Sequence, residues 1–154
     1  MNLPKIIGFT GLAGSGKSYA AKWFKLRTGY HYTEFSFSST IKRIACEIGW
    51  DGKKDKNGRK LLQEIGSAGR RYSKDTWLRF MPKNTPLIID DVRFINEAKA
   101  IKDAGGIVVR IIRPGLVPMK HESERQQSRI KVDYGIANDG KLEELLEYLY
   151  QRMI

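Results

Sequence analysis

The sequence predicts an α/β fold with a mostly parallel sheet. Short apolar runs alternate with helical patterns along the chain, an order typical of parallel strands joined by crossover helices. A glycine-rich turn at residues 11–18 joins the first apolar run to the first helical pattern. The length of 154 residues is enough for one domain with a single core, which we assign to residues 1–154.

The first half of the chain is predicted to contain two strands and four helices. Residues 38–40 (Ser-Ser-Thr) offer caps for the second helix, Gly49 stops it, and Gly66 is expected to end the third. A polar loop is expected at residues 51–58. The first elements are the strand Ile6–Thr10, a helix over about 17–26 with Ala20, Ala21 and Phe24 at core spacing, and a strand over 32–37. Three helices follow. The second helix of the chain bears Ile41, Ile44, Ala45 and Ile48, the third bears Leu61, Leu62 and Ile65, and the fourth bears Trp77, Leu78 and Met81.

The second half continues the alternation of strands and helices. Its predicted elements are the strand Leu87–Ile89, a helix over 96–104, the strand Ile107–Ile112, a basic loop with a short helix to about 131, a strand over 134–136, and a C-terminal helix over 141–152. That helix carries Leu142, Leu145, Leu146 and Leu149 at spacings i, i+3, i+4 and i+7, which predicts a core-facing stripe. Most aromatic side chains between residues 30 and 37 are expected in the core, with stacking on a nucleobase as the alternative.

Composition narrows the class of protein. No apolar run approaches the ~20 residues that span a bilayer, and no signal-peptide pattern is visible, so we expect a cytoplasmic protein without a membrane partner. Cys46 is the single cysteine, which excludes an intrachain disulfide, and we expect it to fill the core. The net charge of +11 indicates anionic partners without choosing among nucleotides, nucleic acid and acidic membranes.

Residues 11–18 match G-x-x-x-x-G-K-[ST], the phosphate-binding loop of nucleoside triphosphate enzymes. Successive backbone N–H groups and a helix N-terminus favour phosphate, Lys17 would reach the β- and γ-phosphates, and the Ser18 hydroxyl would coordinate Mg²⁺. The alternative is a plain glycine-rich turn, against which the flanking strand and helix argue. We assign the donor nucleotide to Gly11, Ala13, Gly14, Ser15, Gly16, Lys17, Ser18 and Tyr19.

Carboxylates follow the predicted strand Leu87–Ile89. Ligands bind at the carboxyl ends of parallel strands, so Asp90 or its neighbour Asp91 can hold Mg²⁺ together with Ser18, and we favour Asp90 slightly. In an extended segment the side chains of Asp91 and Arg93 leave the same face. Arg93 then either contacts a second phosphate or pairs with Asp91, and the sequence leaves both open.

Two further basic segments predict phosphate contacts. Residues 66–71 form a glycine-punctuated turn ending in Arg70 and Arg71, and Arg70 is favoured for an acceptor monophosphate because guanidinium binds phosphate bidentately. Residues 113–131, here called the lid segment, are expected to close over the transferring phosphoryl group. Of its cations we favour Arg113 and Arg125 as catalytic, together with Lys17 and Arg93.

Five stretches in order resemble one family. They are Gly-Phe-Thr-Gly at 8–11 with the phosphate loop, Leu-Gln-Glu-Ile-Gly at 62–66 with Gly69 and Arg70, Asp-Asp-Val-Arg-Phe-Ile-Asn-Glu-Ala at 90–98, His-Glu-Ser-Glu at 121–124, and Ile-Ala-Asn-Asp-Gly at 136–140. Together they resemble the deoxynucleoside monophosphate kinases of tailed bacteriophages, within the nucleoside monophosphate kinase-like P-loop group. The block at 90–98 is the most specific of them.

The resemblance implies a three-layer fold with a five-stranded parallel sheet in the order 2-3-1-4-5. It implies that ATP with Mg²⁺ is the donor and that a monophosphate acceptor binds between residues 36 and 93, mostly on a segment of about 36–86. Asn138 and Asp139 would then lie near the donor base, although Asp139 can also cap the last helix. The acceptor-binding residues are expected to be Ser36, Lys42, Arg70, Asp91 and Arg93.

Two other functions stay open at this point. One is a different small-molecule P-loop kinase of the dephospho-coenzyme A or shikimate type. The other is a basic nucleic-acid-binding NTPase, supported by the net charge of +11. We expect no specific nucleic-acid partner, because the sequence has no helix-turn-helix, RNA-recognition or zinc-finger pattern. The residues do not decide between a monomer and a homodimer.

Overall fold

The computed structural model describes residues 2–154, and its strands form a five-stranded sheet. The elements in chain order are β1 (Ile6–Thr10), α1 (Lys17–Arg27), β2 (Thr33–Phe35), α2 (Ser38–Glu47), α3 (Lys56–Tyr72), a 3₁₀ helix (Thr76–Phe80), β3 (Leu87–Ile89), α4 (Ile95–Asp103), β4 (Ile107–Ile112), α5 (Glu122–Ser128), β5 (Tyr134–Ala137) and α6 (Leu142–Met153).

The strand order is β2-β3-β1-β4-β5, and every pairing is parallel. The predicted α/β fold and strand order are therefore confirmed. The central strand β1 is buried along its whole length, as expected for a strand covered on both faces. Strands β2 and β3 lie on one side of β1, and β4 and β5 lie on the other side. The carboxyl end of β1 is therefore the topological switch point at which such folds bind ligands.

The core on one face of the sheet is formed by β1, α1 and α6. The ring of Phe24 lies 5.9 Å from that of Phe9 and 6.4 Å from that of Tyr150, centroid to centroid. The predicted leucine stripe is confirmed, because Leu146 and Leu149 are buried in this cluster. These contacts anchor the helix that follows the phosphate loop.

The chain divides into two compact units. The first contains the described residues up to Phe35 together with Lys83–Ile154, and so holds the whole sheet with α1, α4, α5 and α6. The second is Ser36–Pro82 and holds α2, α3 and the 3₁₀ helix.

The predicted end of α3 at Gly66 was wrong. The helix begins after Asp55, whose carboxylate accepts from the Gly58 amide at 2.8 Å, and continues to Tyr72. Trp77 packs against the C-terminal half of this helix. Its indole Nε1 donates to the Gly66 carbonyl at 3.0 Å, and a Cβ added at Gly69 would lie 2.4 Å from its ring. Residues 66–71 are helical, and Gly69 makes room for the indole instead of forming a turn.

Three expectations around α2 also fail. The helix begins at Ser38 after Phe37, so residues 38–40 form its first turn, and no side chain caps its N-terminus. Its buried face is formed by Thr40, Ile41 and Ala45, and Cys46 is exposed instead of filling the core. Ile48 lies beyond the helix end and is exposed.

The aromatic side chains before α2 divide between core and surface. Tyr32 and Phe37 are buried, Phe35 is half-buried, and Tyr30 and His31 are exposed.

Candidate active site

The glycines of residues 11–18 meet two different demands. Gly11, Gly14 and Gly16 have φ values of 143°, 81° and 108°, a region that side-chain-bearing residues rarely adopt. A Cβ on Gly11 would also lie 2.4 Å from the carbonyl oxygen of Ile111, and one on Gly16 would lie 2.8 Å from Nδ2 of Asn138. The loop is thus packed against β4 on one side and the residues after β5 on the other.

Lys17, the first residue of α1, lies folded against its own loop. Its Nζ donates to the carbonyl oxygens of Gly11 at 2.9 Å and Leu12 at 2.8 Å. The side chain is largely buried. These bonds hold the ammonium group inside the curve of the loop, which is where the motif predicts contact with phosphates.

Burial, together with the positive charge of Arg93, lowers the pKa of Lys17 to about 8. The carboxylates of Glu124, Asp90 and Asp91 act in the opposite direction. A lysine surrounded by three carboxylates and one guanidinium is typical of a site that handles highly charged ligands.

Ser18 and Asp90 lie together at the carboxyl ends of β1 and β3. The Ser18 hydroxyl donates to Oδ2 of Asp90 at 2.7 Å. A hydroxyl beside a carboxylate fits Mg²⁺ that arrives with nucleotide phosphates, because Mg²⁺ keeps several waters and takes few protein ligands. Across residues 2–154 there is no cluster of three acidic, histidine or cysteine side chains able to hold a metal alone. The choice of Asp90 over Asp91 stays a prediction.

A buried glutamate shapes the turn after β3. One carboxylate oxygen of Glu97 accepts from the backbone N–H groups of Arg93 at 2.7 Å and Phe94 at 3.0 Å. Asp91 is buried and Arg93 is exposed, so the two side chains lie in different environments. Sequence reasoning missed Glu97, although a glutamate three residues after the N-cap residue, here Phe94, is a known capping signal.

The lid segment borders a cavity of about 420 Å³ beside the phosphate loop. Gly11 and Ser15 of the loop line it together with Arg113, Glu124 and Arg125. Arg113 also donates to the carbonyl oxygen of Gly14 at 3.2 Å. The structure therefore brings both favoured lid arginines, which are exposed, to the edge of this cavity, whereas Lys120, Arg129 and Lys131 do not line it.

Two charged residues line this cavity for which the sequence had predicted no role. Glu124 is buried on α5, and Arg110 is the one charged residue of β4. Burial lowers the pKa of the Arg110 guanidinium. A lone charge inside an apolar strand was the available signal for Arg110, since a buried charge requires partners.

Residues before and at the start of α6 contact the phosphate loop and the start of α1. Nδ2 of Asn138 donates to the Ser15 carbonyl at 2.9 Å, and the Tyr19 hydroxyl donates to the Glu143 carboxylate. Asp139 is exposed and does not cap α6, because the N-cap position is Lys141.

The predicted acceptor residues are divided between the two units. Ser36, Lys42 and Arg70 belong to Ser36–Pro82, where Arg70 lies in the last turn of α3. Asp91 and Arg93 belong to the unit that holds the sheet. The acceptor role of all five stays a prediction.

Viral proteins are the most informative relatives in sequence. The Acanthamoeba polyphaga mimivirus protein named "Putative deoxynucleotide monophosphate kinase" is 30% identical over 177 aligned positions, which cover 90% of this chain and 91% of that protein. The chain belongs to the deoxynucleoside monophosphate kinase family. A second relative, "Uncharacterized protein ORF76" of Ictalurid herpesvirus 1, is 31% identical over 83% of this chain and 56% of its own length. In a comparison with sequence models of known protein families, none matches this chain.

Solved structures show the same fold at low identity. A "putative kinase" from Chloroflexus aurantiacus aligns with a TM-score of 0.55 and 14% identity over 99% of this chain and 97% of its own. Shikimate kinase from Acinetobacter baumannii aligns with a TM-score of 0.54 and 17% identity over 98% and 93%. The fold is thus that of the P-loop kinases. Within the described residues, no helix has the length and apolar character needed to cross a membrane.

Proposed function

We propose that this protein transfers the γ-phosphoryl group of ATP to a deoxynucleoside monophosphate. The observation that carries the proposal is the hydrogen bond of 2.7 Å between Ser18 and Asp90, next to Lys17 in the phosphate loop. An oxygen of the acceptor phosphate attacks the γ-phosphorus, and the bond to the β–γ bridging oxygen breaks. The products are ADP and a deoxynucleoside diphosphate.

The donor triphosphate would lie along residues 11–18, with its base near Asn138 and Asp139. Mg²⁺ bound beside Ser18 and Asp90 would neutralise charge on the β- and γ-phosphates. Lys17 would exchange its two loop carbonyls for phosphate oxygens. The acceptors in both present bonds are neutral carbonyls, so the exchange adds the attraction between the ammonium and a negatively charged phosphate.

Arg113 and Arg125 would neutralise the group in transit, because both line the cavity beside the loop. Arg93, whose charge acts on Lys17, would contact the acceptor phosphate or the migrating phosphoryl group. No general base is required, since the acceptor is an ionised phosphate. Catalysis then consists of positioning and charge neutralisation.

The acceptor class is inferred from the name of the mimivirus relative, and we propose that Ser36, Lys42, Arg70 and Asp91 contribute to binding the acceptor. A guanidinium such as Arg70 suits a monophosphate because it binds two oxygens at once. A shikimate-type kinase shares the fold, so the acceptor must be established by assay.

The test is an ADP-release assay with ATP and each common deoxynucleoside and nucleoside monophosphate, with shikimate and dephospho-coenzyme A in parallel. We expect turnover with at least one deoxynucleoside monophosphate and none with the other two acceptors. Turnover with shikimate or dephospho-coenzyme A alone would overturn the proposed acceptor. ATP hydrolysis that needs DNA and ignores all monophosphates would overturn the kinase proposal itself.

A further inference from the structure

Arg110 occupies an unusual place for a charged side chain. It lies in the middle of the apolar strand β4, where its neighbours Val109 and Ile111 are fully buried. In the sheet register it pairs with Thr10, the residue immediately before the phosphate loop. A guanidinium in such surroundings requires hydrogen-bond partners, because desolvating a charge without them is costly.

Its partners are carbonyl groups at the end of α5. Nη2 of Arg110 donates to the Gln127 carbonyl at 2.6 Å and to the Ile130 carbonyl at 3.0 Å. Gln127 is in the last turn of α5, and Ile130 follows its C-cap residue Arg129. Carbonyls at a helix C-terminus lack partners within the helix and carry partial negative charge, so a cation there is favourable.

The helix that Arg110 holds is only seven residues long. So short a helix is not stable in isolation, and tertiary contacts must hold it in place. At its other end, the His121 ring accepts from the Ser123 amide at 3.1 Å. Between the two ends, Glu124 and Arg125 line the cavity beside the phosphate loop.

We propose that Arg110 is a positioning residue, which fixes the end of α5 to β4 and thereby holds Arg125 and Glu124 beside the phosphate loop. This inference rests on the proposed kinase function, in which Arg125 acts on the transferring group. Arg110 itself acts through the helix. Arg110 pairs in the sheet with Thr10 of β1, which immediately precedes the phosphate loop. The same strand β4 therefore holds both the start of the loop and the end of α5.

The experiment compares Arg110→Met with Arg110→Lys and with a matched control, Lys102→Met. Lys102 also bonds a carbonyl of the same turn, that of Lys131 at 2.6 Å, but from the exposed side and beyond α5. We expect Arg110→Met to lower kcat by about tenfold to a hundredfold, the scale of a small misplacement of a catalytic group, with less than about threefold change in KM for ATP. Arg110→Lys should recover part of kcat, and the control should match the parent protein.

A double variant tests whether Arg110 acts through Arg125. If it does, Arg110→Met combined with Arg125→Ala should cost little more in kcat than Arg125→Ala alone. Losses that multiply would overturn the inference, because they would show that Arg110 acts independently.

Hydrogen exchange separates this inference from the proposed function, since it needs no substrate. In Arg110→Met, amides of 122–128 should exchange faster than in the parent protein, whereas those of α6 should not change. Unchanged exchange in α5 would overturn the positioning role whatever the activity. If Arg110→Met does not fold, Arg110→Lys, which keeps the charge but loses the forked donor, should show a smaller increase of exchange in the same amides, and no increase there would overturn the positioning role. Failure of the parent protein to phosphorylate any monophosphate would instead reject the proposed function.

Discussion

Lys17 shows how one side chain links the loop geometry to electrostatics. Its ammonium is bonded to two carbonyls of its own loop and surrounded by Arg93 and three carboxylates. Because the charge is buried, the group is poised to bind an anion, which would restore the interactions that water no longer supplies.

We expect Lys17→Met, which keeps the length of the side chain but removes the charge, to lower kcat by about a hundredfold or more. The reason is the loss of a preorganised cation at the migrating phosphoryl group. Steady-state kinetics with ATP and the best monophosphate would measure the effect. Lys22→Met, on the same helix, is the control. Near-normal turnover in a folded Lys17→Met protein would remove Lys17 from the mechanism.

The lowered pKa of Lys17 also predicts how stability depends on pH. The pKa is about 8 in the folded protein and near 10.5 when unfolded. Between these values the unfolded chain binds more protons, so Lys17 makes the free energy of unfolding rise as pH increases. In nucleotide-free buffer, Tm of the parent protein relative to that of Lys17→Met should therefore increase between pH 7.5 and pH 10. Parallel Tm curves would contradict the assigned shift.

We expect replacement of Arg70 to change KM for the monophosphate acceptor. Arg70→Ala should raise KM for the monophosphate by about tenfold or more, because a hydrogen bond to a charged group contributes ~1.5–3 kcal/mol. KM for ATP should change little. Arg71→Ala, at the adjacent exposed position, serves as the control. A change confined to the ATP constant would place Arg70 on the donor side.

At the level of single residues, the sequence predicted what a local pattern encodes. The phosphate loop and the Ser18–Asp90 pairing follow from a motif and from a strand ending in a carboxylate. Glu97, Arg110 and Glu124 were missed because their roles depend on backbone groups or neighbours that only the folded chain brings close. No spacing of residues in the sequence predicts that an arginine in a strand donates hydrogen bonds to carbonyl groups at the end of a helix.

At the level of elements, strands were easier to predict than helix ends. Leu87–Ile89 and Ile107–Ile112 are apolar runs between polar residues, and both match the structure. The end of α3 was misjudged because a glycine normally weakens a helix. The packing of Trp77 against Gly66 and Gly69 outweighs that tendency, and sequence alone does not show which glycines an indole will cover.

That packing predicts the effect of Gly69→Ala. Alanine favours helices by about 1 kcal/mol over glycine, but the added methyl would lie 2.4 Å from the Trp77 ring. Overpacking of this kind costs about 1–3 kcal/mol, so we expect net destabilisation. Thermal or urea unfolding of Gly69→Ala against Ser67→Ala, two residues away in the same helix, would measure it. A stabilised Gly69→Ala protein would show that the indole moves aside at little cost.

For the whole molecule, the main question raised by the sequence is the net charge of +11. Many of the cations lie on exposed surfaces, such as Lys53 and Lys54 in the segment before α3, where they are solvated among Asp and Gly. Others surround the phosphate loop. The distribution favours small phosphorylated ligands over a continuous nucleic-acid track.

We therefore expect weak, non-specific DNA binding, with Kd no tighter than about 1 µM at physiological salt. ATP turnover should require a monophosphate and should not respond to DNA. Fluorescence anisotropy with labelled duplex across a salt series, run beside the ATP assay, would measure both. Submicromolar binding together with DNA-stimulated hydrolysis would favour the nucleic-acid NTPase.

The exposed position of Cys46 has a practical consequence. It is the single cysteine of the chain, and it lies on α2 in the Ser36–Pro82 unit. A maleimide dye or nitroxide would attach there in the parent sequence without any engineered site. Because we propose that Ser36, Lys42 and Arg70 of that unit bind the acceptor, titrating each monophosphate against the label would test this binding without turnover or a coupling enzyme.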